Sequence, residues 1–406
     1  MTHARAFLVR PLEPVYFGPP STFAAGDVLT GHTQFPPSPW AFQGLVRTRL
    51  LAGAEPALDL ADRSSASRRR IAELVGEPDA LPEGWRLRGP LPVEWDAGER
   101  VHRPWLPAPR HLLRDGGGRL ALARRVEPAH PGCSDLAPEG EKLVVGIPES
   151  PAARARGGWL SAGDMWSVLS ARAPESREAA QGAELPPCVR FERRVGLAID
   201  REELRARPGL IYTRSSLRFD FRSGLIGWLS GDLKPPLRSA SLTSGTQSAG
   251  HGGRQAAFEP VEALDPIWHK LAAGEHLPTA PADGFEFWLI ALGPVRVPAG
   301  SVSNPEIHAE LPAGVRLELV AALAGRHLVL GGYSIARRAS RDNHVYAPAG
   351  SAWLGRLSGG SPEQRANALR RLHDANPLGP REEAPFGFGH CWVGLADPQE
   401  GGSGNE

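Results

Sequence analysis

The chain reads as an α+β protein with antiparallel sheets, folded as two units. Three observations predict this. Short apolar runs alternate with period two and are bounded by Gly and Pro. Helical segments are few, and the clearest ones open on a capping residue. A succession of strand, helix and strands recurs in a similar order in the two halves.

The elements follow in chain order. Residues 4–10 form a first strand, which Pro11 ends, and a proline-rich loop runs from 11 to 37. Ser38-Pro39 then opens a helix over Trp40–Leu51. Ser38 is a good N-cap, and Pro39 suits a first turn where its missing N–H goes unused. Leu45 and Thr48, with Phe42 and Leu51, should face the sheet, and Arg47 should sit on another face. A second helix is expected over 63–76, with Arg68, Arg69 and Arg70 on a solvated face. Residues 85–127 read as strands around a hairpin tipped by Asp115–Arg119, and a short strand or helix follows near Trp159–Leu169. Further strands are expected at 195–200, 210–219, 225–230, 285–292 and 391–395, with a capped amphipathic helix at 362–374. The small, polar, Pro-rich stretch 172–187 suggests a boundary near 185–190, giving units of 1–190 and 191–396, followed by a mobile tail, 397–406.

Charge narrows the function. The 46 basic and 45 acidic residues nearly cancel, so a polycation that coats nucleic acid in bulk is excluded, while local patches are not. The basic set is lopsided: only Lys142, Lys234 and Lys270 are lysines, leaving 43 arginines. Codon bias explains much of this skew, which comes with 47 glycines and 40 prolines. Arginine is also the residue of forked phosphate contacts and base stacking. The arginines cluster: residues 100–126 hold seven against one acid, and residues 127–150 reverse the sign. The acidic-leaning stretch 259–286 is a solvated or protein-facing surface.

Three scattered cysteines, Cys133, Cys188 and Cys391, form neither a disulfide framework nor a zinc motif. No apolar run is long enough for a signal core or a membrane span, so a cytoplasmic protein with no membrane contact is expected. Zinc-protease, nucleophile-elbow, P-loop and dinucleotide motifs are missing, and no metal or cofactor is expected. His32 and His390 lie in glycine-rich loops, where a histidine can serve as acid or base in RNA cleavage or be an ordinary polar loop residue. The loops Gly250–Gly253, Pro348–Ser351 and Phe386–His390 are either tight turns or cradles whose backbone N–H groups approach an anion. The last has aromatics interleaved, which suits single-stranded RNA.

Taken together, these segments resemble the Cmr subunit three family, RAMP-superfamily proteins of type III-B CRISPR effector complexes. The resemblance runs through Val9–Phe17, then Phe35-Pro36-Pro37-Ser38-Pro39 with Gly44 and Arg47, then Arg194–Ile199 with Gly209–Thr213. It continues through Gly252-Gly253-Arg254, Pro348–Ser351 and Phe386–Gly389. Residues 52–190 are covered poorly, and the first loop lacks the arginine usual in the family. The resemblance implies two tandem ferredoxin-like, RRM-type domains with large loop insertions. It implies a non-catalytic subunit that holds the 5′ repeat-derived tag of the CRISPR RNA (crRNA). The large palm-domain subunit and a backbone RAMP subunit would be its protein partners, and target RNA would be met only through the guide. The RNA-binding candidates are Trp40, Arg47, Arg110, Arg114, Arg119, Arg194, Gly252, Gly253, Arg254, Gly350, Ser351, Gly387, Phe388, Gly389 and His390. The rival is a metal-independent RAMP endoribonuclease that processes repeat RNA, resting on His32 or His390.

Overall fold

The computed structural model describes residues 4–18, 30–58, 62, 64–96, 98, 100–115, 117–126, 144–146, 154–176, 179, 183–200, 202–203, 205–238, 242–250, 253–298 and 305–396. It is a mixed α+β protein with several antiparallel sheets. Two compact units each draw on three stretches of chain. The first takes Met1–His102, Pro187–Ala263 and Val329–His344, and the second takes Arg103–Pro186, Leu264–Leu328 and Val345–Glu406.

In the first unit the strand Arg5–Pro11 is central. It pairs antiparallel with Ser223–Ser230 on one side and with Arg254–Pro260 on the other. Arg86–Trp95 lies beyond Ser223–Ser230, so these four strands, numbered along the chain, stand in the order 4-1-3-2. Phe7, Leu8 and Val9 are all buried, as expected of a strand covered on both faces. The helix Pro39–Ala54 supplies one cover, capped as the sequence predicts: Ser38 Oγ accepts from the Ala41 N–H at 3.3 Å. Phe42 stacks on Phe7, with ring centroids 5.8 Å apart. Gly227 makes the approach possible, because a Cβ there would stand 2.7 Å from the Phe42 ring. Phe42, Leu45, Val46, Leu50 and Leu51 are buried, each worth about 1.5–3 kcal/mol in removed apolar surface. Thr48 is only half-buried and donates back to the Gly44 carbonyl at 2.7 Å. The second helix, Ser65–Val75, is capped by Ser64.

The first sheet does not close at residue 190, because the strands Ser223–Ser230 and Arg254–Pro260 join it from beyond that point. Between them and the sheet's earlier strands runs a long antiparallel hairpin, Val189–Ile199 with Ala206–Phe219. Its strands are longer than the apolar runs at 195–200 and 210–219 suggest, since polar alternation carries them further.

The second unit centres on a four-stranded sheet, Arg316–Leu323, Ala352–Ser358, Phe285–Ala291 and Cys391–Leu395 across its width. Numbered along the chain these strands again read 4-1-3-2 from the other edge. The helix Pro362–Leu372 starts at a capping box: Ser361 Oγ accepts from the Gln364 N–H, and the Gln364 side chain accepts from the Ser361 N–H. Leu369 and Leu372 join Phe285, Phe287, Leu289, Trp353 and Val393 in the core. The hairpin predicted around Asp115 is present, between the strands Leu112–Arg114 and Leu120–Leu122. The region near Trp159–Leu169 is a two-residue strand followed by the helix Ala162–Leu169. The tail, 397–406, lies outside the described residues.

Candidate nucleic-acid interface

A cleft of about 1400 Å³ opens in the first unit beside the helix Pro39–Ala54. Trp40 stands in its wall with the guanidinium of Arg341 over its ring, 4.3 Å from the centroid. Arg341 also donates to the Pro78 carbonyl at 3.1 Å and pairs with Asp79, which Arg337 joins from the same segment. The ring and the two arginines are thus held in place around a single carboxylate. Arg68 and Arg338, both exposed, line the same cleft.

Arg47 lines the cleft too, but its donors face inward. Nη1 donates to Gln43 Oε1 at 3.0 Å, and Nη2 donates to the carbonyls of Gly76 and Glu77 at 2.5 and 2.9 Å. Those carbonyls end the helix Ser65–Val75, where backbone acceptors lack helical partners. Burial, and next the charge of Arg341, bring the pKa of Arg47 down to about 10. Arg47 therefore ties two helices together and presents no open fork.

A second group gathers at the foot of the long hairpin. Arg254 pairs with Glu13, and its hydrogen bond is the main reason the Glu13 carboxyl lies below the usual carboxylate range. The charge of Arg194 acts in the same direction. Arg194 Nε donates to Glu192 Oε1 at 2.7 Å, and Arg218 donates to the other carboxylate oxygen. Gly253, just before the strand Arg254–Pro260, has φ +68° and open space where a Cβ would be, so its backbone can be approached closely. Gly252 lies outside the described residues.

In the second unit the glycine loops are built into the interior. The Gly350 N–H donates to the Ala291 carbonyl at 2.7 Å, and its own carbonyl accepts from Arg110. Ser351 is fully buried, its Oγ accepting from the Gly325 N–H. The Gly387 N–H donates to Ala384 O, and that of Gly389 to Pro294 O. Phe388 is buried against Tyr346, centroids 5.2 Å apart. His390 Nε2 lies 2.8 Å from Asp374 Oδ1. The N–H donors and the aromatic face that the sequence offers to RNA here are therefore occupied by the protein's own fold. His32, by contrast, is exposed.

The arginine hairpin divides. Arg119, at the tip, is exposed and paired with Asp115 at 3.4 Å. Arg110 and Arg114 lie deeper, and burial lowers the pKa of Arg110. Sequence reasoning missed Arg337, Arg338 and Arg341. The signal was there, a short basic run after Tyr333, but the denser run at 100–126 overshadowed it.

Among the described residues, no three His, Cys, Asp or Glu side chains converge as a metal site. No described helix is long and apolar enough to cross a membrane.

Residues 7–396 match the family model described as CRISPR-associated protein (Cas_Cmr3). The chain is thus a CRISPR-associated protein. Within that class it belongs to the Cmr3 family, the family its motifs resemble. No curated protein matches it. Among solved structures it is similar to a chain of a type III-B Cmr-beta complex bound to cognate target RNA and AMPPnP. The identity there is 13%, over 86% of each chain, with a TM-score of 0.44. It is similar also to a chain of a Csm3–Csm4 subcomplex from a type III-A interference complex. That match is 8% identical over 89% of this chain and 98% of the other, with a TM-score of 0.36.

Proposed function

We propose that the chain is a non-catalytic subunit of a type III-B effector complex that grips the 5′ repeat-derived tag of the crRNA. It works in the cytoplasm without a cofactor. Its partners are the large palm-domain subunit and a backbone RAMP subunit, and target RNA is met through the guide. Family membership over nearly the whole chain sets the context. The 4-1-3-2 strand order in both units supports reading them as two ferredoxin-like domains.

The observation that carries the RNA reading is the Trp40–Arg341 stack in a cleft rimmed by exposed arginines. An aromatic ring flanked by guanidinium groups suits a splayed base with its phosphates alongside. Arg194 and Arg254, each sharing a carboxylate at the hairpin foot, are a second set of phosphate contacts. The candidate assignment accordingly shifts from Arg47 and the buried glycine loops to Trp40, Arg68, Arg338 and Arg341.

The test is tag binding by the assembled complex at two salt concentrations. Trp40→Ala should weaken binding by about tenfold, the scale of one lost base stack. Arg338→Ala should lower the salt slope by about 0.7, one single-strand phosphate contact. Unchanged binding in both variants would remove the cleft from the account. Metal-independent cleavage of repeat RNA by the pure protein, lost in His32→Ala, would favour the endoribonuclease.

A further inference from the structure

The long hairpin, Val189–Ile199 with Ala206–Phe219, has two unlike faces. Val195 stands opposite Thr213 and Leu197 opposite Ile211, and residues directly opposite share a face. Phe191, Arg193, Val195 and Leu197 therefore project to one side with Ile211, and Ile199 follows two residues further along its strand. All six are exposed, Val195 to 71%.

The opposite side is tied down within the chain. Glu192 accepts from both Arg194 and Arg218, and Arg214 lies over the Tyr16 ring, 5.1 Å from its centroid. Tyr212 lies across Gly196, whose missing side chain leaves room for the ring. The outward side has nothing comparable. Among the described residues Arg193 makes no ion pair or hydrogen bond. Among them, too, Val189–Ile199 is an edge strand. Its far run, Val195–Ile199, holds neither a charge nor a proline, the devices that keep an edge from pairing.

The chemistry of this face selects its occupant. Four of its five apolar side chains are aliphatic, and it carries one cation. A strand of RNA asks instead for stacked rings and several cations. The five apolar side chains expose on the order of 400 Å², the scale of a functional patch. Two copies of the chain meeting there alone would bury about 800 Å², short of the roughly 1,200 Å² of a specific pair. The patch therefore suits one part of a larger interface with a different protein. A guanidinium without a partner, set beside aliphatic side chains, calls for a carboxylate beside an apolar surface.

We propose that this face of the hairpin docks a neighbouring protein of the effector, one that presents an aliphatic surface with an acidic residue set to meet Arg193. The inference rests on the effector-subunit reading above and assigns to protein contact a surface separate from the Trp40 cleft.

The test uses the full chain, labelled away from the hairpin, and the effector assembled without it, with docking read by fluorescence anisotropy. Leu197→Glu should weaken docking about tenfold or more, as a charge placed in an apolar interface does. Arg193→Ser should weaken it a few-fold and remove part of its salt dependence. Both side chains are exposed, so each variant should unfold within a degree or so of wild type. Leu197→Ser serves if the Glu variant does not fold. If wild type joins the effector and every variant joins it equally well, this inference is overturned and the effector-subunit reading stands. If wild type does not join at all, that reading falls and the inference with it. Unchanged docking, with oligoribonucleotide binding by the isolated chain lost in Leu197→Glu, would give the face to RNA and overturn the inference. A wild-type dimer in light scattering that Leu197→Glu splits, again with unchanged docking, would give it to a second copy and overturn it too.

Discussion

The glycine loops of the second unit and the arginine cleft of the first make opposite use of their residues. The loop Phe386–His390 turns inward. Its backbone donors meet Ala384 and Pro294, its phenylalanines are buried, and His390 is bonded to Asp374. The cleft turns outward, with a half-buried tryptophan, a guanidinium laid on its ring and two exposed arginines. The loops carry two segments of the motif resemblance, Pro348–Ser351 and Phe386–Gly389, and the cleft carries the exposed chemistry. A glycine can be required because another backbone passes close to it, and then its presence reports packing rather than a ligand.

The sharpest way to break that contrast is Gly389→Ala. Gly389 has φ +67°, and a Cβ there would stand 1.9 Å from the Leu378 carbonyl oxygen. Left-handed strain and the clash together should cost about 3 kcal/mol or more. Thermal unfolding of the variant checks this, and a midpoint equal to wild type would mean that the loop is not packed as described.

Acid should act next, also on the second unit. Burial lowers the pKa of His373 to about 4 and that of His111 to about 3. Both pKa values are depressed on folding, so the unfolded chain takes up these protons first. The stability present above pH 6.5 should drain away as pH falls toward 4 and then 3. The slope is about 1.4 kcal/mol per pH unit for each histidine. His111 stacks on Trp288 with centroids 4.7 Å apart, and neither ring nitrogen has a hydrogen-bond partner among the described residues. Replacing it with Phe should therefore flatten the slope measured by urea unfolding at pH 7 and pH 5, and an unchanged slope would count against its burial as a neutral ring.

Smaller effects belong to the first unit. Arg338→Ala should leave the unfolding temperature within a degree or so of wild type, as is usual for exposed side chains. Its tag affinity should fall a few-fold, more at low salt than at high. Gly253→Ala should cost only about 1 kcal/mol, from its φ of +68° alone, because nothing stands within 4 Å of the added carbon. Comparing it with Gly389→Ala in one melting series measures directly how differently the two loops are built.

Local signals were readable where they are local. Ser38-Pro39 opened the first helix and Ser361 with Gln364 the last, because caps act over three residues. The turn at Asp115 was legible for the same reason. The assignment of strands to sheets was not. Arg5–Pro11 pairs with residues more than two hundred positions away, and alternation within a strand says nothing about its partner. Arg47 shows the same gap in the site: its spacing places it off the sheet face, but only the fold reveals Gly76 and Glu77 waiting for its donors. Arg341 shows the converse, since its stacking partner Trp40 lies some three hundred residues earlier in the chain.

The most direct test of where RNA is held is photo-crosslinking. The effector complex would be assembled on a guide whose tag carries 4-thiouridine, irradiated, digested and mapped by mass spectrometry. Cross-links should fall on the peptides holding Trp40 and Arg337–Arg341 of this chain. Cross-links confined to Phe386–His390, with none on those peptides, would contradict the account.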